Sequence, residues 1–322
     1  MDKPTTIAVK VARKALEATD ICRLELVAAE GGALPAFSAG AHIDVHLPGG
    51  WVRPYSLCNS PADSSRYVLG ILNDPQSRGG SRAVHTVVQE GDLLHISPPK
   101  NLFALNATAQ RSLLLAGGIG ITPLLSMAEH LQANAAEFQL HYCTRAAERT
   151  AFRDRIAASA FAQQVQYHFD DGDAAQKLDL TALLAQVQKD SHVYVCGPKG
   201  FMDVVLDAAR ACGWPQAQLH SEFFSGEVVH AETDAGFEVQ IASTGQVIAI
   251  PKDKTVTQAL SAAGVDILTS CEQGVCGTCL TRVLQGVPDH KDSYLLPEEQ
   301  AANDQFMPCC SRAKSARLVL DL

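Results

Sequence analysis

The sequence contains no run of 18 apolar residues, no apolar segment near its N-terminus and no excess of basic residues. A transmembrane helix needs about 20 mostly apolar residues and a secretory signal needs a shorter apolar segment, so neither is predicted. The 35 acidic residues outnumber the 26 basic ones and give a net charge of -9. Nucleic acid binding is not expected, because phosphates require a basic surface. We therefore expect a cytoplasmic protein with no membrane or nucleic acid partner.

Ten cysteines are present among the 322 residues. Six lie apart, mostly among apolar neighbours, and we interpret them as small buried hydrophobic residues in a reducing compartment; they are Cys22, Cys58, Cys143, Cys196, Cys212 and Cys310. The other four follow the spacing Cys-x4-Cys-x2-Cys-x29-Cys, which is typical of plant-type [2Fe–2S] ferredoxins; they are Cys271, Cys276, Cys279 and Cys309.

Three thiolates on one short loop can bind iron only if the backbone turns tightly, and Gly274 and Gly277 are predicted to supply the positive φ angles. A structural zinc site is the alternative, because a lone Cys-x2-Cys motif often binds zinc. Zinc sites usually present two closely spaced pairs, so a triplet with one distant cysteine favours the cluster. Cys310 is adjacent to Cys309, but the spacing favours Cys309 as the fourth ligand.

The first 105 residues contain short β-rich runs separated by glycine- and proline-containing turns. No long helical pattern interrupts them, which predicts a small antiparallel β-barrel. The strands are expected at 6–11, 21–27, 41–47, 67–72 and 93–97.

From about residue 106, strands alternate with helices, which predicts a parallel sheet covered on both faces. Strands are expected at 112–116, 138–143, 165–169 and 192–196, and helices at 148–158 and 201–211. A further helix is expected to begin with Thr122 as N-cap and Pro123 as its first residue.

Residues 226–236 are acidic and lack apolar periodicity, which predicts a linker. A hairpin at 237–241 and 247–250, a helix between Thr255 and Gly264, the cysteine loop and a strand at 317–320 follow. The expected domains are therefore 1–105, 106–225 and 237–322.

Glycine-rich turns mark two candidate ligand loops. Gly117, Gly118 and Gly120 lie between a strand and a helix, where backbone N–H groups can bind a dinucleotide pyrophosphate. Pro123 replaces the third glycine of the Rossmann motif, and a simple tight turn is the alternative. Residues 77–81 precede a helix predicted at 83–89 and form a second candidate anion site, with a solvated loop as the alternative.

Two further motifs carry suitable chemistry. Arg53, Tyr55 and Ser56 offer a cation, an aromatic plane and a hydroxyl in one extended run, as flavin binding requires, although a surface strand can carry the same residues. Cys196-Gly197-Pro198 ends the last predicted parallel strand, and ligands bind at the carboxyl ends of such strands. Core packing is an equally good interpretation of the Cys196 thiol.

With these motifs in this order, the sequence resembles the phthalate dioxygenase reductase family, the class IA reductases of Rieske oxygenase systems, which includes vanillate demethylase reductases. The resemblance covers essentially the whole chain. It implies an FMN-binding β-barrel, a ferredoxin-reductase-like NAD domain and a C-terminal β-grasp [2Fe–2S] ferredoxin domain. It also implies NADH as the electron donor and a Rieske-type oxygenase as the partner. Separately, we expect a monomer.

The resemblance further implies the residues of each site. Ser56, Thr122, Cys196 and Phe224 are implied to be catalytic, with Phe224 shielding the flavin ring. The implied cofactor-binding residues are Arg53, Tyr55, Ser56, Leu57, Arg78, Gly80, Ser81, Gly117, Gly118, Gly120, Thr122, Arg145, Cys196, Gly197, Pro198 and Phe224.

Two arguments about the nicotinamide cofactor disagree. By the Rossmann rule, Arg145 at a strand end favours the 2′-phosphate of NADPH. Asp170 and Asp171, at the end of the next strand, would repel that phosphate. Together with the family resemblance, they favour NADH.

The expected function is electron transfer from NADH through FMN and the cluster to a separate aromatic-ring oxygenase. The chain has no Cys-x-His pair of the Rieske type, so it is not expected to activate oxygen itself. A self-contained NADH-dependent reductase of a quinone or other small acceptor is the alternative. A redox-sensing module without turnover is a third hypothesis, which the flavin and nicotinamide motifs disfavour.

Overall fold

The computed structural model describes residues 6–75, 77, 79–173, 176–185, 190–224 and 235–322. It divides into two compact units, Met1–Phe224 and Ser225–Leu322. Two of the sequence predictions, Arg78 and residues 226–234 of the linker, lie outside the described residues. Among the described residues, no helix has the length and apolar character that a membrane crossing requires.

An antiparallel sheet of six strands forms the first part of the first unit. Its elements are β1 (Ile7–Ala18), β2 (Ile21–Ala28), β3 (His42–Leu47), β4 (Trp51–Ser56), β5 (Tyr67–Leu72), α1 (Gly80–Thr86) and β6 (Leu93–Ile96). The strand order is β4-β3-β6-β1-β2-β5. A bridge between Leu57 and Leu69 joins the two outer strands and closes the sheet into the predicted barrel. Alternate apolar side chains, such as Val9 and Val11, fill its interior.

A parallel sheet of five strands forms the rest of this unit, in the order β11-β10-β7-β8-β9. Its elements are β7 (Arg111–Gly117), α2 (Ile121–Ala133), β8 (Glu137–Thr144), α3 (Arg153–Ala157), β9 (Val165–Phe169), α4 (Leu180–Leu184), β10 (Ser191–Cys196), α5 (Lys199–Ala211) and β11 (Leu219–Glu222). One apolar cluster packs α2 on one face, and another packs α5 on the opposite face. The predicted two-sided α/β sheet is confirmed.

The predicted starts of two helices are wrong. A 3-10 turn at Gly118–Gly120 leads directly into α2, so Gly120 is the N-cap and Thr122 lies in the first helical turn. Its hydroxyl donates to the carbonyl of Ile119 at 3.1 Å. Likewise α1 begins at Gly80, three residues before the predicted start.

The helix predicted at 148–158 is broken. A 3-10 turn ends at Arg149, and α3 begins only at Arg153. Between them Phe152 takes a φ of 61°, and its side chain is fully buried. Burial of this ring against Gly70 of β5 outweighs the local helical preference, because tertiary packing routinely overrides propensity.

The second unit is a mixed five-stranded sheet, ordered β13-β12-β18-β14-β16, with one helix packed on it. Its elements are β12 (Phe237–Ile241), β13 (Val247–Ile250), α6 (Val256–Ala262), β14 (Thr281–Gln285), β15 (Pro288–Asp289), α7 (Pro297–Ala302), β16 (Gln305–Phe306), β17 (Arg312–Ala313) and β18 (Arg317–Leu320). The central strands β12 and β18 are parallel, as in a β-grasp fold. Thr255 and Gln258 form the predicted capping box.

Candidate functional site

The four predicted ligand cysteines come together in the second unit. The loop between α6 and β14 carries Cys271, Cys276 and Cys279, and the turn after β16 carries Cys309. The Cys271 thiol interacts with those of Cys276 and Cys309, and the Cys279 thiol interacts with that of Cys309. Cys310 is also buried, but its Sγ donates to the carbonyl of Met307 at 3.6 Å. The Cys309 thiol thus lies with those of the other three predicted ligands, and the Cys310 thiol contacts it as well.

Contacts with Cys276 and Cys309 lower the pKa of the Cys271 thiol, and contacts with Cys271 raise the pKa of the Cys276 and Cys309 thiols. Thiolates are the soft ligands that iron–sulfur clusters select.

The two glycines of the cysteine loop have the predicted backbone conformation. The φ angle is +75° at Gly274 and +74° at Gly277. A Cβ atom at Gly274 would lie 2.4 Å from the Cys310 Sγ, and one at Gly277 would lie 2.4 Å from the Tyr294 ring. Both positions therefore require glycine for conformation and for space.

A cradle of backbone and side chains forms where β4 meets the start of α1. The Arg53 guanidinium lies 5.1 Å from the centre of the Trp51 ring. A Cβ at Gly79 would lie 2.5 Å from that ring, and one at Gly80 would lie 2.6 Å from the Arg53 Cγ. The loop that carries Gly79 and Gly80 thus packs directly against the Trp51 and Arg53 side chains. Glycine backbone and a cation lie next to each other, and this combination can bind a flavin phosphate. The sequence reasoning missed Trp51, although an aromatic residue two positions before Arg53 was a usable signal.

The other predicted flavin residues lie around this cradle. Tyr55 packs against the barrel core, and burial raises the pKa of its phenol. Leu57 is fully buried, so its side chain belongs to the core rather than to a ligand surface. The Ser81 hydroxyl accepts a hydrogen bond from the backbone N–H of Asp74 at 3.4 Å.

The two predicted nicotinamide motifs are in direct contact. They follow β7 and β10, which are neighbours in the parallel sheet. A Cβ at Gly120 would lie 2.1 Å from the carbonyl oxygen of Cys196, and one at Gly197 would lie 2.9 Å from the Cα of Gly117. Only glycine allows this approach. The result is a bare backbone surface at the carboxyl ends of the strands, as a dinucleotide needs.

Glu222, at the end of β11, is a site residue that the sequence reasoning missed. Its carboxylate accepts a hydrogen bond from Ser56 at 3.2 Å and lies 4.0 Å from His42 Nδ1. Burial raises the pKa of Glu222 to about 8, an effect that the Ser56 bond partly offsets. Glu222 pairs with Cys196 across the two parallel strands. No motif surrounds Glu222, so only the strand pairing shows its position.

Burial raises the pKa of the Cys196 thiol well above its ordinary value, and the nearby Glu222 carboxylate adds to the effect. This thiol is fully buried and stays protonated.

Of the two phenylalanines after Glu222, Phe223 packs against an apolar cluster of the α/β part, whereas Phe224 is 36% exposed. Exposure leaves Phe224 as the ring that can cover a ligand.

Arg145 is exposed just after β8. The backbone N–H groups of Asp170 and Asp171 donate to the carbonyls of Thr144 and Arg145 at 3.0 and 3.2 Å. The predicted cation and the two acids therefore lie at the same end of the sheet.

Comparison with known proteins agrees with this geometry. The 2Fe-2S iron-sulfur cluster binding domain matches residues 239–314, and the N-terminal domain of dimethylamine monooxygenase subunit DmmA-like proteins matches residues 94–219. The vanillate O-demethylase oxidoreductase of Pseudomonas sp. (strain HR199 / DSM 7063) is 54% identical over 98% of this chain and 100% of its own length. The phthalate dioxygenase reductase of Burkholderia cepacia is 39% identical over 98% and 97%.

A solved structure is similar over the whole chain. It is described as phthalate dioxygenase reductase, a modular structure for electron transfer from pyridine nucleotides to [2Fe-2S]. Its TM-score to this chain is 0.79, with 39% identity and 98% coverage of both chains.

The barrel, the parallel sheet and the four-thiol loop define an oxidoreductase with a flavin and nicotinamide reductase fold and a fused [2Fe–2S] domain. The chain belongs to the phthalate dioxygenase reductase family. The predicted family, the fold class and the function as reductase component of an oxygenase system are confirmed.

Proposed function

We propose that this chain takes electrons from NADH onto FMN and passes them through its [2Fe–2S] cluster to a separate Rieske-type oxygenase that acts on an aromatic compound. The observation that carries the proposal is the presence, in one chain, of the Trp51–Arg53 cradle, the paired glycine loops and the four-thiol loop. The domain bounds that we propose are 1–105 for FMN, 106–225 for NADH and 237–322 for the cluster, with 226–236 as linker. A monomer in the cytoplasm is part of this proposal.

The chemistry of the cofactors explains why three sites are needed. NADH supplies two electrons as hydride, the cluster accepts one electron at a time, and flavin can exchange either two electrons or one. The protein groups bind and orient these cofactors. Arg53, with Arg78 and Ser81, would hold the flavin phosphate, Tyr55 would pack on its ring, and Ser56 would bond the ring edge.

At the nicotinamide site, the bare backbone of Gly117, Gly118, Gly120 and Gly197 would admit the dinucleotide. Thr122, Cys196 and Pro198 would line the place of hydride transfer, and Phe224 would cover the flavin until nicotinamide enters. Glu222 would hold or release a proton at the Ser56 hydroxyl, since its raised pKa lies near neutral pH.

The direction of electron flow follows from typical potentials. Plant-type clusters lie near −400 mV and Rieske centres between about −150 and +300 mV. A gap of at least about 250 mV corresponds to roughly four decades in the one-electron equilibrium, at 59 mV per decade. Transfer to a Rieske partner is therefore strongly downhill.

Stopped-flow mixing of the reduced protein with the oxygenase encoded beside it tests the proposal. Reoxidation should outrun the spontaneous reaction with oxygen. It should slow when Glu272, next to Cys271, is reversed to Lys, because surface charge sets the rate of docking. If every neighbouring oxygenase leaves the rate unchanged and a quinone accelerates it, the self-contained reductase becomes the better assignment.

Replacing Arg53 by Ala is expected to weaken FMN binding by roughly 10- to 150-fold, since a hydrogen bond to a charged group contributes about 1.5–3 kcal/mol. Flavin fluorescence titration of the deflavinated protein measures the affinity. Arg82→Ala, an exposed residue of α1, is the matched control and should bind FMN normally. Acid extraction followed by chromatography identifies the flavin, and finding FAD would contradict the assignment.

The specificity constant for NADH should exceed that for NADPH by at least about tenfold, which corresponds to about 1.4 kcal/mol. The carboxylates of Asp170 and Asp171 would repel a 2′-phosphate at this end of the sheet. The double variant Asp170→Asn with Asp171→Asn should reduce the ratio of the specificity constant for NADH to that for NADPH, and Arg145→Ala should not reduce it. Equal specificity constants for NADH and NADPH in the wild-type protein would show that attraction of the 2′-phosphate by Arg145 outweighs repulsion by the two carboxylates.

A further inference from the structure

A fully buried carboxylate lies behind the cysteine loop in the second unit. The side chain of Asp292 is 0% exposed. Its Oδ2 accepts from the backbone N–H of Leu295 at 2.9 Å, and its Oδ1 accepts from the Ser311 hydroxyl at 3.2 Å. Ser311 in turn accepts from the backbone N–H of Lys291 at 3.1 Å. Both carboxylate oxygens of Asp292 are therefore used as hydrogen-bond acceptors.

Asp292 contacts all three segments around the predicted ligands. A Cβ at Gly274 would lie 3.1 Å from the Asp292 Cα and 3.0 Å from its Cβ, so the cysteine loop lies directly on this residue. The Leu295 bond fixes the segment whose Tyr294 ring covers Gly277. The Ser311 bond fixes the chain two residues beyond Cys309. One side chain thus links the loop with three ligands to the segment with the fourth.

The side chain that faces the carboxylate is a buried imidazole. His290 Nδ1 lies 3.5 Å from Asp292 Oδ1, and the His290 side chain is only 8% exposed. Among the described residues, neither ring nitrogen of His290 has a hydrogen-bond partner. Burying a carboxylate beside an imidazole that makes no hydrogen bonds costs free energy on folding. Such buried polar groups are typical of functional positions.

We propose that Asp292 is a positioning residue for the cluster. It fixes the cysteine loop against the Cys309 segment, and its buried negative charge lowers the midpoint potential of the cluster. The potential of an iron–sulfur cluster depends on nearby charge and hydrogen bonds. A negative charge in a poorly solvated place opposes the arrival of an electron more strongly than one in water does. The proposal rests on the [2Fe–2S] domain alone and not on the identity of the oxygenase.

Asp292→Asn in the full-length protein separates charge from shape, because it keeps the size of the side chain and one acceptor. A redox titration followed by electron paramagnetic resonance should show a midpoint potential raised by about 59 mV, which corresponds to a tenfold change in the one-electron equilibrium. The matched control is Asp321→Asn, which removes the same charge from a side chain that is 54% exposed. Its potential should equal that of the wild-type protein, because water screens exposed charges.

Asp292→Ala tests the positioning role. It leaves the Ser311 hydroxyl and the Leu295 N–H without their acceptor, and iron should pass to a chelator roughly tenfold faster than from the wild-type protein. Loss of iron from Asp292→Asn, with circular dichroism showing a folded protein, would also support positioning. A wild-type potential in Asp292→Asn would overturn the proposal. Wild-type iron release from Asp292→Ala would overturn it as well.

Discussion

Replacing Cys279 by Ser is expected to abolish electron transfer to one-electron acceptors and to leave flavin reduction by NADH intact. Serine oxygen is a harder ligand than thiolate, and iron–sulfur clusters select soft thiolates. The Cys279 thiol also interacts with that of Cys309, so its loss removes one of the contacts that group the four thiols. Cluster absorbance should disappear and cytochrome c reduction should fall to the background rate. Anaerobic stopped-flow should still show bleaching of the flavin by NADH.

Cys310→Ser is the matched control for this experiment. Its thiol is buried beside the same loop but bonds to the carbonyl of Met307, so the variant should keep its iron and its cytochrome c reduction. The same comparison tests the ligand assignment. If Cys310→Ser loses the iron and Cys309→Ser retains it, the fourth ligand is Cys310.

Replacing Glu222 by Gln is expected to stabilise the protein at alkaline pH and not at acidic pH. Burial raises the pKa of this carboxyl from 4.5 to about 8, so the folded state keeps a proton that the unfolded chain has already lost. The wild-type protein therefore loses stability as the pH rises from about 4.5 to about 8. The loss is about 5 kcal/mol, since the pKa rises from 4.5 to about 8 and one pKa unit corresponds to about 1.4 kcal/mol. Glutamine does not ionise and avoids this loss.

Urea unfolding at pH 5 and pH 8.5, followed by tryptophan fluorescence, measures the difference, because both tryptophans lie in the first unit. The stability of Glu222→Gln relative to wild type should increase between the two pH values. Glu137→Gln is the control, since Glu137 is 69% exposed, and its profile should run parallel to that of the wild-type protein. A parallel profile for Glu222→Gln would show that the carboxyl titrates normally.

The same variant reports on function. If Glu222 exchanges a proton at Ser56, the rate of flavin reduction in the wild-type protein should change with an apparent pKa near 8. The variant should lose this inflection, because an amide still accepts the Ser56 hydrogen bond but carries no exchangeable acid proton.

Local patterns were sufficient for much of the architecture. Strand alternation predicted the barrel and the parallel sheet, and the Thr255–Gln258 pattern predicted a capping box that is present. The short strand β14 and the helix α7 were missed, because both are short and their periodicity is weak. The break at Phe152 was missed because it depends on Gly70, which is 82 residues away in the chain.

The sequence by itself determined the chemistry of this protein, because thiol spacing, glycine turns and the Arg53–Ser56 run are local features that need no partner to be recognised. It also determined that Gly274 and Gly277 must be glycine, since one residue type alone takes positive φ at low cost. Only the tertiary structure decided that Glu222 faces Ser56, that Gly120 touches Cys196, and that Asp292 lies behind the cysteine loop. These contacts join residues far apart in the chain, and burial, which raises the pKa of Glu222, exists only after folding.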